Sequence, residues 1–364
     1  MLVILERVSD SMKRKRIVIK IGSSSLTEED GTLSPVKMAA FCHAIAGLRQ
    51  KGHELLIVSS GAVAAGFRDI GYAARPTTVR ARQAAAAAGQ ALLMQHYRFQ
   101  LQHYRIIPAQ LLVTRSDFSE EKHFQNLHAA IEELLSRKIL PIINENDSTA
   151  VDELTFGDND MLSALVGGAL HADLLMLLTD ADGVYSADPR EDPEAVKYKE
   201  LHTIPEELLQ APSRSTLGTG GIGTKLLASR AAADTGVEAY IGTLSSTEDL
   251  LQACEGSGSG TYIRTQSGRV MRTRRQWIAY HASASGVLFI DDGAKEAVLN
   301  RGASLLTVGI SKTEGTFFRG DIVDVYAGAH KIGRGRVLVD HTELSGAIVE
   351  SSIAVHRDEW VSLN

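Results

Sequence analysis

At 364 residues the chain exceeds the usual reach of one hydrophobic core, so two domains are expected. Its 44% hydrophobic and 23% charged residues are those of an ordinary globular chain, and 38 Lys plus Arg against 44 Asp plus Glu leave a net −6, which argues against bulk attraction to nucleic acid. The two cysteines, Cys42 and Cys254, lie far apart without a CxxC partner, which speaks against a disulfide framework or zinc knuckle and favours a reducing cytoplasm.

The opening "MLVILERVSD" has too short an apolar stretch for a secretory signal, and no window approaches the roughly 18 apolar residues of a membrane span. Either Met1 or Met12 could be the start, so residues 1–12 are expected to form an extension without structure. From Arg16 onward, short β-branched runs alternate with helical stretches. "RIVIKIG" (16–22), "ELLIVSSG" (54–61), "IIPAQLLVT" (106–114), "ILPIIN" (139–144), "DLLMLLTD" (173–180) and "VEAYIG" (237–242) read as strands, several of them apolar on both faces. Between them, "ARQAAAAAGQALLMQ" (81–95) is rich in helix formers. Residues 119–138 carry one apolar stripe behind Ser119 as a prospective N-cap. This alternation predicts an α/β domain with a mainly parallel sheet covered by helices on both faces.

After "CEGSGSG" (254–260) and the basic stretch "RTQSGRVMRTRRQW" (264–277) the pattern changes. "GVLFID", "DIVDVY", "KIGRGRVLV" and "AIVESS" are short prospective strands between Gly and Asp turns, which predicts a small β-rich second domain, partly open as a barrel.

Four strand ends stop in the same way, at glycine, hydroxyl, amide or acid: "KIGSSSL", "VSSGAVAAG", "NENDS" and "LLTDADG". One such turn needs these residues anyway, but four together mark the crevice beyond the carboxyl ends of a parallel sheet. Lys20 interrupts an apolar strand and must snorkel out or meet an anion. Ser60 and Gly61 sit at a turn able to hold a carboxylate or phosphate, without the G-x-S-x-G order of a nucleophile elbow. "GTGGIGTKLLASRAAADTG" (218–236) offers glycine amides at a helix start with Lys225 beside them, a phosphate loop that is not Walker A because no hydroxyl follows the lysine. In "FGDND" (156–160), capping of a 161–170 helix by Asn159 or Asp160 explains one of three polar residues. Asp160 between Lys20 and Lys225 would account for a second, with Asp158 and Asn159 facing another ligand.

In this order, "VIKIGSSSL", "IVSSGAVAAG", "PIINENDS", "FGDNDMLSAL", "LLTDADGVYSADPR" and "GTGGIGTK" closely resemble the bacterial glutamate 5-kinase branch of the amino acid kinase family. "SLLTVGI", "FFRGDIVDV" and "IGRGRV" resemble a PUA domain, and the likeness runs from about Met12 to about Arg357. The resemblance implies a three-layer α/β/α sandwich over 13–265, a basic linker over 266–276, a PUA domain over 277–358 and a tail over 359–364. It implies ATP-dependent phosphorylation of the γ-carboxylate of L-glutamate, the first step of proline biosynthesis. Lys20, Lys225 and Asp160 would be catalytic, and Ser60, Asp147, Asn159 and Asp158 would bind the amino acid. Lys20, Thr179, Asp180, Thr219, Gly220, Gly221, Ile222, Gly223, Thr224 and Lys225 would bind ATP, whose phosphates would hold most of the Mg²⁺. Feedback by proline and self-association as a dimer or tetramer are implied as well. Pocket depth is invisible in sequence, so the residues alone do not choose glutamate over aspartate. Arg264, Arg269, Arg272, Arg274 and Arg275 could form an RNA-binding strip, though a solvated linker fits the negative chain better.

Overall fold

The computed structural model describes residues 13–149, 159–209, 221–244, 246–265, 273–344 and 351–362. Its first half is built on strands β1 (Arg16–Ile21), β2 (Glu54–Ser59), β3 (Pro108–Val113), β4 (Leu140–Glu145) and β5 (Leu174–Leu178). A hairpin of β6 (Val184–Tyr185) and β7 (Lys197–Tyr198) follows, then β8 (Glu200–Leu201), β9 (Glu238–Gly242) and β10 (Thr261–Ile263). The main sheet runs β3-β4-β2-β1-β5-β9-β10-β8, and only the β9–β10 pair is antiparallel.

The strands are apolar on both faces because both are covered. Ile17, Ile19 and Ile21 of β1, with Leu174, Met176 and Leu178 of β5, pack under helices α1 (Pro35–Gln50), α3 (Val79–Leu101) and, beyond the short α2 (Ala62–Gly66), α9 (Thr247–Glu255). Val18, Leu175 and Leu177 face α4 (Arg115–Ser119), α5 (Glu121–Ser136), α6 (Asn159–Ala169), α7 (Glu206–Leu209) and α8 (Ile222–Asp234). Side chains alternate with period two along a strand, so Lys20 shares the face of Val18. That places it under α6 and α8.

Local chemistry sets the element ends. Ser34 caps α1 by accepting from the Lys37 amide, with Pro35 in the first turn. The helix predicted from Ser119 breaks instead at Glu120. Thr114 and Asp117 form a capping box that starts α4, so Ser119 ends one helix rather than capping the next. Likewise α6 spans Asn159–Ala169, so Asn159 and Asp160 lie within the helix rather than ahead of it, while Asp158 lies outside the described residues.

Past α10 (Thr273–Gln276) and a π-helical turn at Trp277–His281, the second domain is a six-stranded sheet beside one helix, α11 (Asp292–Leu299). Its strands are β11 (Gly286–Ile290), β12 (Leu305–Leu306), β13 (Ile310–Gly315), β14 (Ile322–Ala327), β15 (His330–Val337) and β16 (Ile353–Ser362), in the order β12-β16-β15-β14-β11-β13. The strand expected over "AIVESS" falls partly on residues outside those described, and Ser351 and Ser352 are not in a strand. The observed β16 starts at Ile353 and runs through residues the sequence assigns to a tail, pairing Ser362 with Gly333.

The two domains share a packed seam. Trp277, Ile278, Ile322 and Val361 join the same apolar cluster as α4, α5 and α6. The Trp277 indole donates to the Phe118 carbonyl at 2.9 Å, and Arg336 lies over its ring while pairing with Glu121 at 2.6 Å. Among the described residues no helix is long and apolar enough to cross a membrane.

Candidate active site

The carboxyl ends of β4, β2, β1 and β5 lie side by side, and the N-termini of α6 and α8 face them from one side of the sheet. Helix N-termini carry partial positive charge and free amides, so this edge favours anions. Gly61, which precedes α2, has φ 116°, a left-handed backbone that makes glycine the natural residue at this turn.

Lys20 and Lys225 converge on one carboxylate. The Lys20 Nζ lies 2.6 Å from Asp160 Oδ1, and the Lys225 Nζ lies 3.1 Å from Asp160 Oδ2. All three are buried, Asp160 completely. Burial by itself would raise the Asp160 pKa, but Lys20 and then Lys225 outweigh it by charge and hydrogen bond, and the carboxyl is held below the usual aspartate value. Two ammonium groups against one carboxylate leave a surplus positive charge beneath a polar edge. A phosphoryl group is the kind of ligand that balances it.

Asn159, the neighbour of Asp160, reaches the other way. Its Nδ2 donates to Ser60 Oγ at 3.0 Å and to Asn144 Oδ1 at 2.9 Å. Thr224 Oγ1 donates to the Gly221 carbonyl at 2.9 Å and stands 3.4 Å from Asp160 Oδ2. Gly221 caps α8, so Ile222, Gly223, Thr224 and Lys225 form its first turn. Thr179 and Asp180 follow β5 at the same edge, where Thr179 Oγ1 donates to Asp180 Oδ1. Asp147 follows β4, half-buried. Burial dominates and raises its pKa, with Arg82 and Arg75 opposing by charge. Asp158, Thr219 and Gly220 lie outside the described residues.

The lysine–aspartate convergence was legible in the motifs; the contact of Asn159 with Ser60 and other members of the site were not. Asn144 sits inside the quoted "NENDS", yet its role as acceptor for Asn159 needed the fold. Gln90, buried and bonded to Asn144, is a polar residue in an alanine-rich helix, which is the one signal that could have exposed it. Ser59 meets the buried Tyr97 hydroxyl at 2.7 Å. Arg264, proposed for an RNA strip, is committed elsewhere: it pairs with Glu200 and Glu238 and stacks on Tyr262. Arg269 and Arg272 lie outside the described residues.

The chain belongs to the amino acid kinase family, whose sequence model matches residues 15–243, and it carries a PUA domain matched over 286–358. It is 46% identical over 363 residues to glutamate 5-kinase 1 of Bacillus subtilis strain 168, covering 97% of this chain and all of the relative. To the glutamate 5-kinase of Geobacillus thermodenitrificans strain NG80-2 it is 48% identical over 367 residues, covering 97% and 98%. The structure of carbamate kinase from Giardia lamblia bound to AMP-PNP superposes with a TM-score of 0.51 at 16% identity, covering 70% of this chain and all of that one, a likeness of fold.

Proposed function

We propose that the chain transfers the γ-phosphoryl group of ATP to the γ-carboxylate of L-glutamate, giving L-glutamyl 5-phosphate and ADP, the first step of proline biosynthesis. The observation that carries this reading is the pair Lys20 and Lys225 held on Asp160 at the sheet's carboxyl edge. The glutamate 5-kinase relatives, alike over nearly the whole chain, support the choice of acceptor.

The chemistry asks for positioning and charge neutralisation. A γ-carboxylate is already a nucleophile at neutral pH, so neither a general base nor a covalent intermediate is needed. Two anions must nonetheless approach each other. Lys20 and Lys225 supply fixed positive charge, and Asp160 aims both ammonium groups while keeping them tolerable in a buried setting. On the nucleotide side this reading uses Thr179, Asp180 and the loop from Thr219 to Lys225. On the amino-acid side it uses Ser60, Asp147, Asp158 and Asn159. The charges that converge here are lysines rather than a cage of carboxylates, which fits Mg²⁺ carried on ATP phosphates and water. Bound there, Mg²⁺ would neutralise developing charge on the phosphoryl oxygens. Inhibition by L-proline, self-association and a cytoplasmic setting belong to the same reading, on the family resemblance.

A coupled ADP-release assay tests it, with glutamate, aspartate, N-acetylglutamate and carbamate offered in turn. Turnover is expected with glutamate and only weakly with aspartate. Preference for any of the other three acceptors would overturn the assignment.

A further inference from the structure

A chain of amides crosses the top of the sheet. Gln110 on β3, Gln90 on α3, Asn144 on β4 and Asn159 on α6 are joined end to end, and the last reaches Ser60. Sheet parity explains why they meet: Gln110 and Asn144 point to the face covered by α3, where Gln90 lies buried.

The polarity of this chain is fixed by one backbone group. The Glu145 amide N–H, which can only donate, meets Asn144 Oδ1 at 2.9 Å. That atom is therefore the oxygen, and the Asn144 amino group must point the other way. There it donates to Gln90 Oε1 at 3.0 Å, which leaves the Gln90 amino group to donate to Gln110 Oε1, also at 3.0 Å. On the near side, the Asn159 atom facing Asn144 Oδ1 must be nitrogen. Its amino group is then spent on Asn144 and Ser60, with the Ser59 carbonyl at 3.4 Å. The Asn159 oxygen is buried and accepts no hydrogen bond among the described residues. Ser60, which accepts from Asn159, keeps its own hydroxyl proton to donate.

We propose that Gln90 is a positioning residue which, through Asn144, locks the Asn159 amide with its oxygen free for the amino-acid substrate, and that this oxygen selects a free α-ammonium group. The inference rests on the glutamate reading. On glutamate with both carboxylates ionised, the ammonium N–H groups are the only donors, so they alone can satisfy a buried acceptor. A reversed Asn159 amide would present N–H groups to the ammonium and repel it. Ser60, by the same accounting, is left to donate to a substrate carboxylate.

The test is steady-state kinetics of Gln90→Met and Gln90→Glu beside the parent, with glutamate and 2-hydroxyglutarate as acceptors and thermal melts alongside. Gln90→Met, which has similar length and no amide, is expected to raise KM for glutamate roughly ten- to a hundredfold while KM for ATP and kcat stay near the parent's. Gln90→Glu retains the oxygen that receives the Asn144 amino group and should recover most of that loss. The parent's preference for glutamate over 2-hydroxyglutarate should narrow by about tenfold in Gln90→Met, since ammonium recognition is the element disturbed. An unchanged glutamate KM in Gln90→Met, or a parallel rise in both KM values, would refute the positioning role. Should Gln90→Met fail to fold, the parent still decides: equal use of 2-hydroxyglutarate and glutamate would overturn ammonium selection. Failure of the parent to turn over glutamate would instead sink the functional reading itself.

Discussion

At the scale of single residues, what matters is how charge is kept inside the protein. Lys20 and Lys225 are buried on a fully buried Asp160, an arrangement that would be costly if any one member were missing. The pair is tolerated because the carboxylate receives both ammonium groups, and it is useful because positive charge remains in surplus. Lys20→Ala or Lys225→Ala should therefore lower kcat by roughly 10²–10³, the scale for losing one aimed electrostatic stabiliser. Single-turnover measurements on each variant, with melts to confirm folding, check this; turnover near the parent's value would remove that lysine from the mechanism. Lys20 was legible in sequence because a lysine in an apolar strand violates burial rules, Lys225 because it follows a glycine loop at a helix start, and Asp160 because capping accounts for only one of three consecutive polar residues. Gln90 was less legible, since a lone glutamine in a helix breaks no such rule.

At the scale of elements, the site depends on how closely α2 and α3 approach. A Cβ added at Gly89 would lie 1.9 Å from the Ala62 carbonyl oxygen and 2.4 Å from the Gly66 nitrogen, both backbone atoms that no rotamer change can move. α2 starts directly after Ser60 and Gly61, and α3 carries Gln90 next to Gly89, so forcing the helices apart would shift residues on both sides of Asn144. Gly89→Ala is expected to destabilise the chain by about 1–3 kcal/mol or more. Gly167→Ala in α6 serves as the control, because its added Cβ would make ordinary contacts of 3.7 Å with Val237 and 3.9 Å with Val18. Chemical denaturation of the two variants measures the contrast, and equal stability would show that the close approach is not required. The six strands expected in the first domain emerged from sequence with small shifts at their ends, whereas the short β6, β7, β8 and β10 and the break at Glu120 did not. The stripe over 119–138 gives no sign of a boundary at its start, where the capping box of Thr114 and Asp117 begins a separate short helix that ends at Ser119 and Glu120 is extended.

For the whole molecule, the question is whether two domains behave as one. Trp277 is nearly buried in the seam, anchored on the Phe118 carbonyl and covered by Arg336, and the apolar cluster runs through it without interruption. Trp277→Ala should cost about 3–5 kcal/mol, since it removes a large buried ring together with its hydrogen bond to the Phe118 carbonyl. Calorimetry is expected to show one cooperative transition for the parent and two separated transitions for the variant. A single transition at the parent's temperature would mean that the domains are coupled by other contacts.

Sequence by itself determined six strands of the first domain, the two-sided burial of their sheet and the places where polar chemistry gathers, because periodicity and burial cost act locally on neighbouring residues. It also carried the family, because six short motifs in one order leave little room for coincidence. Only the tertiary structure decided the contacts themselves, of which the motifs anticipated the convergence of Lys20 and Lys225 on Asp160. Period-two alternation puts Lys20 on the face of α6 and α8, the crossing of those helices brings Lys225 to the same acid, and one backbone N–H at Glu145 fixes the direction of the amide chain. Such meetings join residues remote in the chain, and no local rule encodes a distance that depends on how the layers pack.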